Sequence, residues 1–147
     1  MTKIYLAGPF FDEDQIDRIS RMEEALTANP KVASFFSPRK AEFKDLVMGT
    51  PEWAAAVFDI DRTNIDAADV VTAVIDYEGT HVDPGTAWEI GYANAIGKPV
   101  ILVKEKPAGS VNLMMGVPAH AVLTDVAEIE TYDFDAMPVS SWQGDMF

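Results

Sequence analysis

Short apolar runs alternate along this chain with longer stretches in which apolar residues return every three or four positions. Ile4-Tyr5-Leu6-Ala7, Val32 to Phe36, Val70 to Ile75, Pro99 to Val103 and Ala121 to Leu123 have the length and β-branched content of strands. Val70 to Ile75 is apolar enough to be buried on both faces. Between the first two runs, Ile16, Ile19, Met22, Ala25 and Leu26 fall at helical spacing and predict a helix from about Asp14 to Ala28. Thr50-Pro51-Glu52 reads as a helix start, with a capping hydroxyl, proline in the first turn and early negative charge, and the helix runs to about Asp66. A third helix follows Asp83 and stops at Gly97. Ser37 to Gly49 is left as a long loop.

Buried strands alternating with helices predict an α/β fold, a parallel five-stranded sheet with helices on both faces, of the flavodoxin-like or Rossmann-like kind. No repeat or low-complexity linker divides the chain, so residues 1–147 read as one domain. In such sheets ligands collect at the carboxyl ends of the strands, near a switch in strand order. Three loops are expected to converge there: Gly8 to Asp12 after the first strand, Asp76 to Asp83 after the third, and the loop after the fourth that reaches Asn112.

Charge narrows the partners. Twenty-four acidic residues against 11 basic ones, a formal charge of −13, disfavour nucleic-acid backbones and anionic membrane surfaces. A neutral or cationic small molecule is the easier partner. No run resembles a membrane span, and the chain enters Lys3-Ile4-Tyr5 without a signal-peptide pattern. With no cysteine there is no disulfide and no thiolate chemistry, and the default compartment is the cytoplasm. A Gly-rich phosphate loop and a dinucleotide fingerprint are both lacking, and the acidic Asp12-Glu13-Asp14 would repel a phosphate. His81 and His120, the only histidines, lack metal-ligand spacing, so no metal or cofactor is expected. Chemistry must rest on carboxylates.

One carboxylate stands out. Between Asp83 and Lys98 only Glu89 is charged, and in a helix Gly85, Glu89, Ala93 and Ile96 share a face. A buried carboxylate must be partnered, protonated or set on a cavity. Solvent exposure fits poorly with Ala87, Trp88, Ile90 and Tyr92 around it, whereas a cavity fits, and Gly85 one turn earlier leaves room for a ligand. Ordinary explanations stand beside these readings. Asp83 is equally placed to cap the helix, Gly8-Pro9 to make a turn, and Phe10 and Phe11 to join the core. Asp61 could form a solvated ion pair with Arg62.

The set Ile4-Tyr5-Leu6-Ala7-Gly8-Pro9-Phe10-Phe11, Asp61 to Asp69, Asp83-Pro84-Gly85-Thr86-Ala87-Trp88-Glu89-Ile90-Gly91-Tyr92-Ala93 and Val111-Asn112-Leu113-Met114 resembles the nucleoside 2-deoxyribosyltransferases, in the family's order and over essentially the whole chain. The resemblance implies an enzyme of nucleoside salvage that moves 2-deoxyribose from a 2′-deoxynucleoside donor to a free nucleobase acceptor. By that likeness Glu89 is the nucleophile and Tyr5 orients it. Asp61 and Asp83 are the aspartates near sugar and base, one of which handles the proton of the leaving base. Gly8, Phe10, Phe11 and Gly85 belong to the substrate pocket. Asn112, Met114 and the terminal Phe147 match parts that a neighbouring subunit lends to the sugar end, which implies a homo-oligomer with shared sites. Glu42 stands where some members place glutamine. The implied chemistry is that of a retaining glycosidase, a carboxylate facing an oxocarbenium-like carbon and a second carboxyl supplying the proton. An N-glycosidase acting on nucleosides or deoxynucleoside monophosphates, and a non-catalytic nucleotide-binding module, are the alternatives.

Overall fold

The computed structural model describes residues 1–107 and 109–147. Strands β1 (Thr2–Ala7), β2 (Val32–Phe36), β3 (Val70–Val74), β4 (Val100–Val103) and β5 (Ala121–Leu123) form one parallel sheet in the order β2-β1-β3-β4-β5. The chain first moves outward from β1 to β2, then crosses back over β1 to β3, so the order reverses at the β1/β3 boundary. In doubly wound sheets such a switch opens a crevice at the strands' carboxyl ends.

Parity along the strands sorts the helices. Ile4 and Leu6 of β1, Val70 and Val74 of β3 and Ile101 and Val103 of β4 face one side, where α1 (Glu13–Ala28) and the short α5 (Glu128–Thr131) cover them. Tyr5, Ala7, Val71, Ala73, Val100 and Leu102 face the other, where they meet Ile65 of α2 (Pro51–Ala67), Ile90 and Ala93 of α3 (Pro84–Ala95) and Met115 of α4 (Leu113–Gly116). Tyr5 therefore points toward α3 because it sits one residue from Ile4 and Leu6. The edge strand β2 is only partly covered.

Helix starts follow the sequence closely. Asp12 caps α1 by accepting from the Gln15 amide at 2.8 Å, and Thr50 caps α2 through the Trp53 amide at 3.3 Å. Asp83 caps α3, its Oδ2 accepting from the Thr86 amide at 2.9 Å and from Thr86 Oγ1 at 3.0 Å. Ile16 and Ile96 depart from the expected apolar faces, being 40% exposed each. Ile16 lies in the first turn of α1, one turn before the buried Ile19, and Ile96 is the cap residue after α3 ends. Among the described residues no helix is long and apolar enough to cross a membrane.

Gly8 closes β1 with φ at +153°, and a Cβ there would lie 2.7 Å from Ile19 Cδ1 and 3.1 Å from Val74 Cβ. Only glycine lets the chain leave β1 between α1 and β3. Gly8→Ala is expected to lower stability by about 1–3 kcal/mol, read from the urea midpoint, through overpacking of this exit. An unchanged midpoint would show that Ile19 moves aside without cost.

A buried Asp76 and a part-exposed ion pair fasten the carboxyl ends of β3 and β4. Asp76 accepts from the Glu105 amide at 2.6 Å, and Arg21 grips Glu105 at 2.6 and 2.8 Å. The Arg21 bonds outweigh partial burial and hold the Glu105 carboxyl down at about 2.

Candidate active site

A cavity of about 610 Å³ opens at the switch point. Its floor comes from the β1 exit, with Gly8, Phe10 and Phe11, and its far wall from Pro38, Arg39, Ala41, Phe43, Leu46 and Met48 after β2. Helix α2 lends Trp53, Val57 and Asp61, and the start of α3 lends Asp83, Gly85 and Glu89. The described residues of the loop after β4, expected to converge here, do not line this cavity, and the loop after β2 takes their place. Strand order explains the exchange. Glu89 is held over β1 by Tyr5, and the neighbours of β1 are β2 and β3, whereas β4 lies one strand further away.

Glu89 is partly buried on the cavity wall, and Tyr5 Oη donates a short hydrogen bond to its Oε2. Tyr5 is itself fully buried and stacked on Phe36, with ring centroids 5.8 Å apart, so its hydroxyl has a fixed aim. Burial pushes the Glu89 carboxyl up to about 7; the Tyr5 hydrogen bond opposes the rise, while the nearby charges of Asp61 and Asp83 add to it. Burial and the adjacent Glu89 likewise push the Tyr5 hydroxyl well above its ordinary range, which keeps it a donor.

Asp61 does not pair with Arg62. That arginine instead binds Asp66 at 3.0 Å and Asp59 at 3.3 Å, one turn to either side on α2, leaving Asp61 on the cavity face. Burial raises the Asp61 carboxyl to about 6. Asp83 has both of the roles the sequence allowed, capping α3 and facing the cavity. Phe10 and Phe11 stack at 5.8 Å and Phe11 meets Tyr77 edge-on at 6.4 Å, an aromatic shelf rather than core. Three carboxylates thus surround one space, and two of them titrate near neutrality. Such a pair can divide the work of anion and acid.

The remaining predicted residues stand apart. Asn112 caps α4 through the Met114 amide at 2.9 Å, and Met114 is 75% exposed. The terminal segment runs beside them, the Leu113 amide donating to the Phe147 carbonyl at 2.9 Å, and the Phe147 ring is 48% exposed. Asn112, Met114 and Phe147 form one patch, outside the cavity of their own chain. Glu42 is exposed and pairs with Lys44 at 3.5 Å. The apolar wall of Phe43, Leu46, Met48, Trp53 and Val57 escaped the sequence reading. Its signal was there, since four apolar residues between Phe43 and Met48 lie in a segment with neither strand nor helix period.

The sequence pattern of the nucleoside 2-deoxyribosyltransferase family matches residues 4–128. The chain belongs to that family. It is 33% identical over 148 aligned positions to a nucleoside deoxyribosyltransferase of Limosilactobacillus fermentum, covering 91% of this chain and 87% of the relative. A second such enzyme, from Lactobacillus johnsonii, is 30% identical over 97% of this chain and its own full length. The fold superposes on a 2-deoxyribosyltransferase of Bacillus psychrosaccharolyticus with a TM-score of 0.83 and 36% identity, over 95% of this chain and 98% of the other. The five-stranded α/β architecture is thus that of the deoxyribosyltransferases, and the chain is a pentosyl-transferring enzyme of nucleosides and bases.

Proposed function

We propose that this deoxyribosyltransferase works through a covalent deoxyribosyl ester of Glu89, with net retention at C1′. The observation that carries the reading is the Glu89 carboxylate, aimed by Tyr5 into a cavity that also holds an unpaired Asp61. In the first half, a Glu89 oxygen bonds to C1′ as the C1′–N bond breaks. The electron pair leaves with the base, which takes a proton from Asp61. In the second half a free base attacks C1′ through nitrogen, the ester bond returns its electrons to Glu89, and Asp61 recovers the proton. Two inversions give retention. Asp61 suits the proton better than Asp83, whose Oδ2 is committed to the α3 cap. No step requires a cofactor.

Both purines and pyrimidines fit this reading. The cavity wall offers Phe10, Phe43 and Trp53 for stacking and no amide side chain to read a hydrogen-bond pattern. Incubating thymidine with adenine and separating products by chromatography tests it: deoxyadenosine and thymine appear together. Release of thymine and free deoxyribose without deoxyadenosine would favour the hydrolase, and no turnover would favour the binding module.

The active unit in this proposal is a homo-oligomer whose neighbours complete each other's sites. Beside Glu89 the cavity continues into an open cleft lined by Phe58, Asp61, Arg62, Gly85 and Trp88. On its lip Trp88 stacks on Tyr92 and meets Phe58 edge-on, an aromatic strip in which Phe58 is 53% and Trp88 46% exposed. Exposed aromatic area of this kind suits a self-complementary contact. Mixing inactive Glu89→Ala and Asn112→Ala subunits is expected to restore part of the exchange activity, because hybrid interfaces hold one intact pair. An active monomer in sedimentation, with no restoration on mixing, would refute shared sites.

A further inference from the structure

A second carboxylate is buried where the proposed chemistry has no use for it. Glu23 lies on α1, on the face of the sheet away from α2 and α3, and is 4% exposed. It reaches past the edge strand to the segment that leaves β2. Ser37 Oγ donates to Glu23 Oε1 at 2.7 Å, Arg39 donates through Nε at 3.3 Å and Nη2 at 2.5 Å, and Lys40 Nζ stands 3.6 Å from Oε2. Burial alone would push this carboxyl up, yet Arg39, Ser37 and Lys40 outweigh it and hold the group below its ordinary range. A charged group kept ionised inside the protein by three polar side chains within four residues of one loop is a clasp on that loop.

What the clasp holds is the wall of the cavity. Residues 37–40 include the 3-10 turn Pro38–Lys40, and Pro38, Arg39, Ala41, Phe43, Leu46 and Met48 line the space opposite Glu89. From Ala41 to Thr50 the bonds are local: turns among Phe43, Leu46, Val47 and Thr50, and the exposed Lys44–Glu42 pair. Val47 and Met48 are largely exposed, so apolar burial adds little anchorage there. The wall is fixed at its two ends, by the Glu23 clasp before it and by the Thr50 cap of α2 after it. The wall leaves β2, the strand beside β1, over which Tyr5 holds Glu89, and the interval between wall and Glu89 is the cavity that both line. A flat base joined to the carbon that Glu89 attacks would extend across that interval onto the wall.

We infer that Glu23 is a positioning residue for the nucleobase: from the opposite face of the sheet it grips Ser37, Arg39 and Lys40 and so sets the place of the wall on which the base packs. This rests on the reading of the cavity as a nucleobase pocket. It assigns Glu23 no contact with substrate, and it separates base affinity from the chemical step at Glu89.

Binding of free adenine, followed by calorimetry and by Trp53 fluorescence, tests the clasp alongside exchange kinetics. In Glu23→Gln, which keeps the shape but loses the charge, the adenine Kd and the KM for donor and acceptor should rise about tenfold, the equivalent of one charge-assisted hydrogen bond. The kcat at saturation should stay within about twofold, since a filled pocket presents C1′ to the same Glu89. Ser37→Ala, farther from the cavity, should shift Kd in the same direction, and the double variant should fall short of the product of the two effects. Trypsin should cut the 40–44 segment faster in Glu23→Gln than in wild type. A purely structural Glu23 gives a different pattern: a lower melting temperature and a kcat reduced with the folded fraction, at unchanged Kd and KM. That pattern, or a Kd equal to wild type, overturns the inference while leaving the cavity reading in place. If wild type itself binds no adenine and exchanges no base, both are overturned.

Discussion

Glu89→Ala is expected to abolish base exchange, by a factor of roughly 10,000 or more, because a residue that forms the covalent bond has no substitute within reach. Wild-type protein mixed with a donor and no acceptor should carry a deoxyribosyl adduct on the peptide containing Glu89, visible by mass spectrometry. The alanine variant should carry none. Folding should survive, and Glu89→Gln shows why most cleanly, since the amide can still accept from Tyr5 Oη. Glu89 is pushed from its usual 4.5 up to about 7 in the folded protein. A carboxyl raised in this way destabilises the native state once pH exceeds its unfolded value, and the penalty is complete above the folded one. Glu89→Gln should therefore melt above wild type at pH 8, the gap closing as pH falls toward 4.5. A variant that exchanges bases at the wild-type rate would sink the assignment, and one less stable than wild type at pH 8 would sink the account of its burial.

Asp61→Asn is expected to lower kcat/KM by roughly 100- to 10,000-fold, the range in which general acids act, and to change the shape of the pH profile. By the proposed mechanism the reaction requires ionised Glu89 and protonated Asp61. Activity rises as Glu89 loses its proton near 7 and falls as Asp61 loses its own near 6. Because the acid is the stronger of the two, the productive form is a minor species and the profile is a narrow bell peaking between those values. Asparagine cannot lose the proton, so the falling limb should vanish. The rising limb should also move to lower pH, because the Asp61 charge helps to raise Glu89. A variant retaining both limbs would pass the acid's role to Asp83.

Much of the site could be read from neighbours in sequence. Helix caps depend on a side chain and an amide three residues on, so Thr50 and Asp83 were visible as caps, and an isolated Glu89 among small and apolar residues already fitted a cavity better than solvent. The strands and their order of appearance followed from apolar runs between helical periods. Adjacency in sequence, by contrast, misleads at Asp61. Arg62 is adjacent in sequence, yet adjacent helical residues point in different directions, and the arginine turns to Asp59 and Asp66.

The wall after β2 was similarly hidden. Its residues have no period, and their importance comes from strand order: β2 lies next to β1, and β4 does not. In the sequence Glu23 is one more polar position beside Met22 on an amphipathic helix, and nothing within α1 announces that Ser37, Arg39 and Lys40 will arrive beside it from another element. Alternation of strand and helix, the caps and the lone carboxylate are encoded over spans of a few residues, where backbone geometry fixes which side chains can meet. The partners of Glu89 and Glu23 are contacts between elements, and those exist only once the sheet has chosen its order and register.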